Sequence, residues 1–301
     1  MPVPLATLST AQARLASNAQ TALAQLDAPV LLRLWHLMSL DAPTVAVIWS
    51  LSFAWAAGVH LPRWIPVLLA LGTWAVYVGD RLLDTRSALR SGNFSPLRER
   101  HFFHWHYRRV LVPLACTAAI LAAAIVFSLM PPAIRERNSV LAIAALAYFS
   151  GVHLPRARSK TLALLPSKEL IVGTLFTAGC AVPVFARMQA VTNSPISLWP
   201  FLFLVIFFAA LAGLNCSAID RWESAGKATI STGAFALAAI GLLFALGLSF
   251  DHPRISALSL AGSASAVLLG VLDLRRSRLT PLALRCLADL VLLTPILCFA
   301  R

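Results

Sequence analysis

Nine apolar runs, each close to the length that crosses a bilayer, follow one another along this chain. They cover roughly residues 35–58, 64–80, 110–130, 139–154, 168–186, 197–219, 229–250, 255–273 and 281–300. A hydrocarbon core of about 30 Å takes about 20 residues of helix. No water lies inside it to satisfy backbone N–H and C=O groups, so such runs must fold as helices that bond internally. The expected fold is therefore all-α: a polytopic membrane protein of about nine transmembrane helices. Composition agrees, since 59% of residues are hydrophobic, 12% are charged and the mean hydropathy is +0.78. A soluble domain carries about twice that share of charge.

Two regions are expected. Residues 1–32 form an N-terminal cytoplasmic segment. Leu8, Leu15, Leu23 and Leu26 there are spaced like one face of a short helix lying on the membrane surface. The segment lacks the early basic cluster and apolar core of a signal peptide. Residues 33–301 form a single transmembrane domain. Of the 25 Lys and Arg residues, 19 fall in alternate connections on the side of the N-terminus. Six (Arg63, Arg135, Arg137, Arg187, Arg254 and Arg301) fall on the other. The positive-inside rule then places the N-terminus in the cytoplasm and the C-terminus outside, in a bacterial-type inner or plasma membrane. The net charge of +13 reads as topology and lipid-headgroup contact. With no soluble basic domain, a nucleic-acid partner is excluded. The five cysteines are scattered, form no CxxC and read as packing residues.

The hexapeptide "GVHLPR" occurs at 58–63 and again at 151–156. Gly and Pro at those spacings end helices, so His60 and His153 read as helix-end residues.

The acidic residues carry more information, because there are only twelve. "YVGDRLLDTR" places Asp80 and Asp84 one helical turn apart, and "LNCSAIDRWES" does the same for Asp220 and Glu223. Each pair shares a helix face and ends a predicted span on the cytoplasmic side. One such pair alone is an ordinary surface ion pair. Two at the same depth are a candidate Mg²⁺ site, since hard cations take oxygen ligands and recruit phosphate. Arg86, Arg90, Arg158, Lys160 and Lys168 lie nearby in sequence and complement a diphosphate.

These residues resemble the UbiA-type membrane prenyltransferases. Asp80-x-x-x-Asp84 is similar to the latter part of the family's first Asp-rich motif, Asn-Asp-x-x-Asp-x-x-x-Asp. The stretch "KTLALLPSKELIVGTLFTAGCAVP" is similar to its Lys-containing loop and following helix, through Lys160, Leu165, Pro166, Gly173, Phe176 and Pro183. Asp220-x-x-Glu223 sits where the second motif ends in Asp-x-x-Asp. The resemblance covers roughly residues 30 to 300. The chain departs from it at Val76 and Tyr77, where the family has Asn-Asp. "RSALRSGNFSP" replaces the expected Arg-Thr-x-x-Arg-Pro, and Gly213 stands for an early acid of the second motif, with Asn215 nearby as a substitute oxygen ligand.

The resemblance implies a bundle around a central cavity open near the cytoplasmic face. It also implies Mg²⁺-dependent transfer of an isoprenoid group from a prenyl diphosphate to an aromatic or lipid-like acceptor. Asp80, Asp84, Asp220 and Glu223 would be catalytic, holding metal together with Asn215. Arg86, Arg90, Lys160, Lys168 and Arg221 would bind the diphosphate. Such groups would stabilise the charge that develops on the departing diphosphate.

Four further readings come from the residues. Asp41 orients an acceptor or pairs with His36. Lys168 and Glu169 open the fifth span, in a diphosphate-binding or a local structural role. Asp289 pairs with Arg285 one turn earlier. "RHFFHWHYRR" (100–109) is an aromatic, basic lead-in to the third span, because its histidines do not share one face. Two other classes stay open: a relative that binds an isoprenoid lipid without transferring it, and a small-molecule transporter, for which midplane charges are the mark.

Overall fold

The computed structural model describes residues 29–94, 97–136, 138–140, 143–144, 168–190, 198–223 and 229–299. The N-terminal surface helix, most of the fourth predicted span, His153 and Lys160 lie outside them, as does the side chain of Lys168.

Among the described residues the elements are helices, with no strand. They are α1 (Val30–Leu37), α2 (Asp41–Ala56), α3 (Trp64–Ser91), α4 (Glu99–His106), α5 (Arg108–Leu129), α6 (Lys168–Ala190), α7 (Leu198–Glu223), α8 (Ser231–Gly247), α9 (Pro253–Leu274) and α10 (Pro281–Val291). Short 3₁₀ turns follow at Arg276–Arg278 and Thr294–Phe299. Six helical stretches are long and apolar enough to cross a membrane, and a seventh if α1 and α2 form one broken span. The chain is thus a polytopic helical membrane protein. α8 is apolar but has only 17 residues.

Three boundaries differ from the sequence expectation, each for a local reason. The first apolar run is broken, α1 meeting α2 at 87°. Ser39 adopts a left-handed backbone (φ 53°) at the break, and the Trp74 indole donates to the carbonyl of Met38 there. The second run continues past Asp80 as helix for another three turns. It stops at Gly92, whose φ of +71° supplies the left-handed cap that a glycine adopts without strain. The last run breaks after Val291. Ser265 donates to the freed carbonyl of Val291 (2.6 Å) and Trp49 to that of Leu292 (2.8 Å).

Sequential helices pack as hairpins: α6 on α7, α8 on α9, and α3 on α2 and α5. The core lies between α2, α6 and α7. Trp49 meets Phe208 edge to face at 4.8 Å and Phe176 at 5.7 Å, and Phe53 meets Phe208 at 5.2 Å. These rings fill the middle of the bundle, where each buried aromatic contributes both area and ring geometry. At Gly173 the backbones of α6 and α7 nearly touch. A Cβ added there would lie 2.8 Å from Cα of Gly213 and 2.9 Å from the carbonyl oxygen of Ala209. That approach fixes how α7, which carries Glu223, leaves the core.

Candidate functional site: an arginine cluster at one end of the bundle

α4 is too short to cross a membrane. It lies across the end of the bundle formed by the last turns of α3, the end of α7 and the start of α10. Its first turn is set by the Arg98 backbone N–H, which donates to Nδ1 of His101 (2.9 Å). That bond leaves the proton of His101 on Nε2, which faces the Asp84 carboxylate at 3.5 Å. The preceding residue, Arg100, points the other way, to Glu223 (3.3 Å). One turn of α4 therefore joins the two acidic elements singled out in the sequence.

Glu223 is the hub. Arg100 and Arg285 both reach its Oε1, and Arg98 Nε lies 3.6 Å from Oε2 while its terminal NH₂ group donates to the Glu223 carbonyl (3.0 Å). On α3, Arg81 is buried, pairs with Asp80 (2.7 Å) and lies 5.5 Å over the Tyr77 ring. The Nε atoms of Arg81, Arg100 and Arg285 are buried without a hydrogen-bond partner among the described residues. Buried donors in native proteins are nearly always partnered, so these three guanidinium N–H groups leave donors open to an acceptor that is not among the described residues. Four arginines against Glu223 and Asp80 leave this end of the bundle cationic.

Asp80 and Asp84 remain on one face, one turn apart, with side chains 31% and 41% exposed. Two hard oxygen donors with water access fit a magnesium ion, which keeps several waters of its own. The other sequence candidates sit differently. Glu223 is enclosed by guanidinium groups, so its carboxylate organises arginines. Asp220 is exposed, and Arg86, Arg90 and Arg221 are exposed as well. Arg221 donates to the carbonyl of Thr229 (3.2 Å). Asn215 is buried on α7 and directs its amide to Asp289 (3.3 Å). Arg285 turns to Glu223, and Asp289 to His36 and Asn215, whereas helical spacing alone pairs Arg285 with Asp289. His36 and Asp41 do pair, at 2.6 Å.

Sequence reasoning did not single out Arg81, Arg98, Arg100 or Arg285 as ligand-binding groups. Arg81 had a signal, since it follows Asp80 directly and is carried into the bundle by the same helical turn. Arg98 and Arg100 had none, because nothing in "RERHFFHWH" says that the segment is a helix with its own buried face.

His104, one turn after Arg100, is wholly buried. Its Nδ1 lies 2.7 Å from the Arg100 carbonyl, which can only accept, so Nδ1 carries the proton and Nε2 accepts from the Ser39 hydroxyl (3.3 Å). Burial, aided by the nearby positive charge of Arg81, pushes its pKa down to about 4. His104 is thus a neutral peg that locks the bend at Ser39 to α4.

An apolar groove of about 340 Å³ opens between α2 and α3, lined by Leu40, Pro43, Thr44, Val47, Ile48 and Ala70. No known protein family, curated protein or solved structure matches the chain.

Proposed function

We propose that the protein is an integral-membrane prenyltransferase of the UbiA type, which moves an isoprenoid group from a prenyl diphosphate to an aromatic or lipid-like acceptor. One observation carries the reading: Arg98, Arg100 and Arg285 around Glu223, with Arg81 beside Asp80, stand at one end of an otherwise apolar helical bundle, and the Nε donors of Arg81, Arg100 and Arg285 have no partner among the described residues. An amphiphile with a polyanionic head and a hydrocarbon tail suits that arrangement. Arg81, Arg98, Arg100 and Arg285 hold the diphosphate, and Glu223 holds the arginines in register. Asp80 and Asp84 hold the Mg²⁺ that such chemistry uses to neutralise the leaving group. The prenyl chain lies against the groove between α2 and α3. As the allylic C–O bond breaks, the electron pair leaves with the diphosphate, where the guanidinium groups meet the growing charge. The acceptor's nucleophilic atom then bonds to the allylic carbon and gives up its proton. By the distribution of Lys and Arg, this end faces the cytoplasm.

Binding of farnesyl diphosphate to the detergent-solubilised protein, with and without Mg²⁺, tests the reading. Arg285→Gln is expected to weaken binding by tenfold or more in both conditions. Asp84→Asn is expected to remove only the part that depends on Mg²⁺, because the amide keeps the shape but loses the charge. Binding unchanged in both variants would overturn the assignment. Binding by the wild type with no product across a panel of phenolic and lipid acceptors would favour a passive isoprenoid carrier.

A further inference from the structure

The bend between α1 and α2 does more than shorten a span. It brings His36 and Asp41 against Asp289 of α10, beside Asn215 of α7, which the sequence placed with the Mg²⁺ ligands but which turns to Asp289 instead, so the diphosphate site proposed above uses none of these four residues. Nδ1 of His36 lies 2.6 Å from Oδ2 of Asp41 and 3.7 Å from Oδ2 of Asp289. One ligand atom from each residue falls within 4.8 Å of the other two. Asn215 is 96% buried and turns its amide towards Asp289, with Nδ2 at 3.3 Å and Oδ1 buried and unpartnered among the described residues. A half-turn of that amide exchanges the two atoms and aims the orphan oxygen at the Asp289 carboxylate.

We propose that His36, Asp41 and Asp289, with Oδ1 of Asn215 as fourth donor, form a binding site for one divalent cation of the zinc, cobalt or manganese class. Imidazole with two carboxylates and an amide oxygen is a donor set for these ions, and the imidazole sets it apart from the all-oxygen pair at Asp80 and Asp84. Tetrahedral coordination with bonds of about 2.0–2.1 Å spaces ligand atoms about 3.4 Å apart, so these atoms need to move by roughly an ångström or less each. Asp41 is already oriented: its Oδ1 accepts from the Ala42 backbone N–H (2.9 Å), leaving Oδ2 for the site. Entry is by way of Asp289, whose side chain is 17% exposed against 2% for His36. Arg285, the basic side chain one turn earlier on α10, is directed to Glu223 and also lies within electrostatic range of Asp289 and Asp41. The cation displaces the proton shared by His36 and Asp41, which leaves to solvent. The alternative is an imidazolium held between two carboxylates, with no affinity for metal.

The test titrates Co²⁺ into the metal-stripped, full-length protein in detergent, reading visible absorption and, by calorimetry in two buffers, the protons released. The expected result is one equivalent of tetrahedral Co²⁺, proton release on binding, and displacement by Zn²⁺. His36→Gln and Asp289→Asn are expected to abolish the spectrum, while Asp84→Asn leaves it intact and so separates this site from the diphosphate site. Asn215→Asp is expected to tighten binding by tenfold or more, since a fourth ligand gains charge; for a simple ion pair the same change only crowds carboxylates and destabilises the fold. Absence of a Co²⁺ spectrum in the wild type, a spectrum indifferent to His36→Gln, or no gain from a folded Asn215→Asp variant would overturn the proposal.

Discussion

His104 shows how one buried side chain couples the acidity of the medium to the architecture. Its pKa in the folded protein, about 4, lies below the ordinary value of 6.5. An unfolded chain therefore takes up this proton first as pH falls. The neutral peg contributes its full stability above pH 6.5, and that contribution is lost progressively between pH 6.5 and about 4. The groups facing it include Arg81, His101, His36 and Asp41, so the measurement must be a comparison. Thermal unfolding of His104→Gln is expected to show a smaller fall in midpoint across this window than the wild type, whose midpoint converges on the variant's at the acid end. Parallel curves for the two proteins would remove His104 from the account.

Helices are placed here by backbone approach as much as by ring packing. Gly173 sits where α6 and α7 come closest, and a Cβ at that position meets main-chain atoms that cannot rotate away. Gly173→Ala is expected to cost about 1–3 kcal/mol and to lower the unfolding temperature in detergent. Gly213→Ala is expected to be mild, since its added Cβ comes no nearer than 3.5 Å to Leu170. Comparable melting curves for the two variants would show that the contact has no such role. The same contact illustrates what a sequence discloses. Apolar runs of bilayer length reveal α3, α5, α6, α7 and α9 directly, because helix is the only spanning structure open to them. The pairing of His36 with Asp41 was legible too, being local. The arginine cluster was not, since Glu223 meets Arg98, Arg100 and Arg285 across 62 residues or more. Helical spacing pointed Arg285 at Asp289, four residues away, and tertiary packing gave each a different partner.

At the scale of the whole molecule, the arginine cluster, His104 and the Asp80–Asp84 pair all gather at one end of the helices. On the orientation proposed above, that end faces the cytoplasm. A reporter inserted after Gly92 is expected to read as cytoplasmic, and one fused after Arg301 as extracytoplasmic. Both reporters on one side would mean an even number of crossings between Gly92 and Arg301 and would overturn that arrangement of the spans.

The bend at Ser39 has a consequence for the lipid as well as for the protein. Because α1 turns aside, α2 alone offers 16 residues to the bilayer, and α8 offers 17. At 1.5 Å per residue these reach about 24–26 Å, short of a hydrocarbon slab of about 30 Å. α3 and α7, with 28 and 26 residues, overshoot it. The bundle therefore has an uneven hydrophobic height around its rim. If α2 and α8 each cross the bilayer, it must thin beside them, at a cost of a fraction of a kcal/mol per Å of mismatch. Beside α2 lies the groove lined by Leu40, Pro43 and Val47. On the function proposed above, a long-chain amphiphile in the leaflet would meet the protein there where the hydrocarbon is thinnest and close to the cationic end.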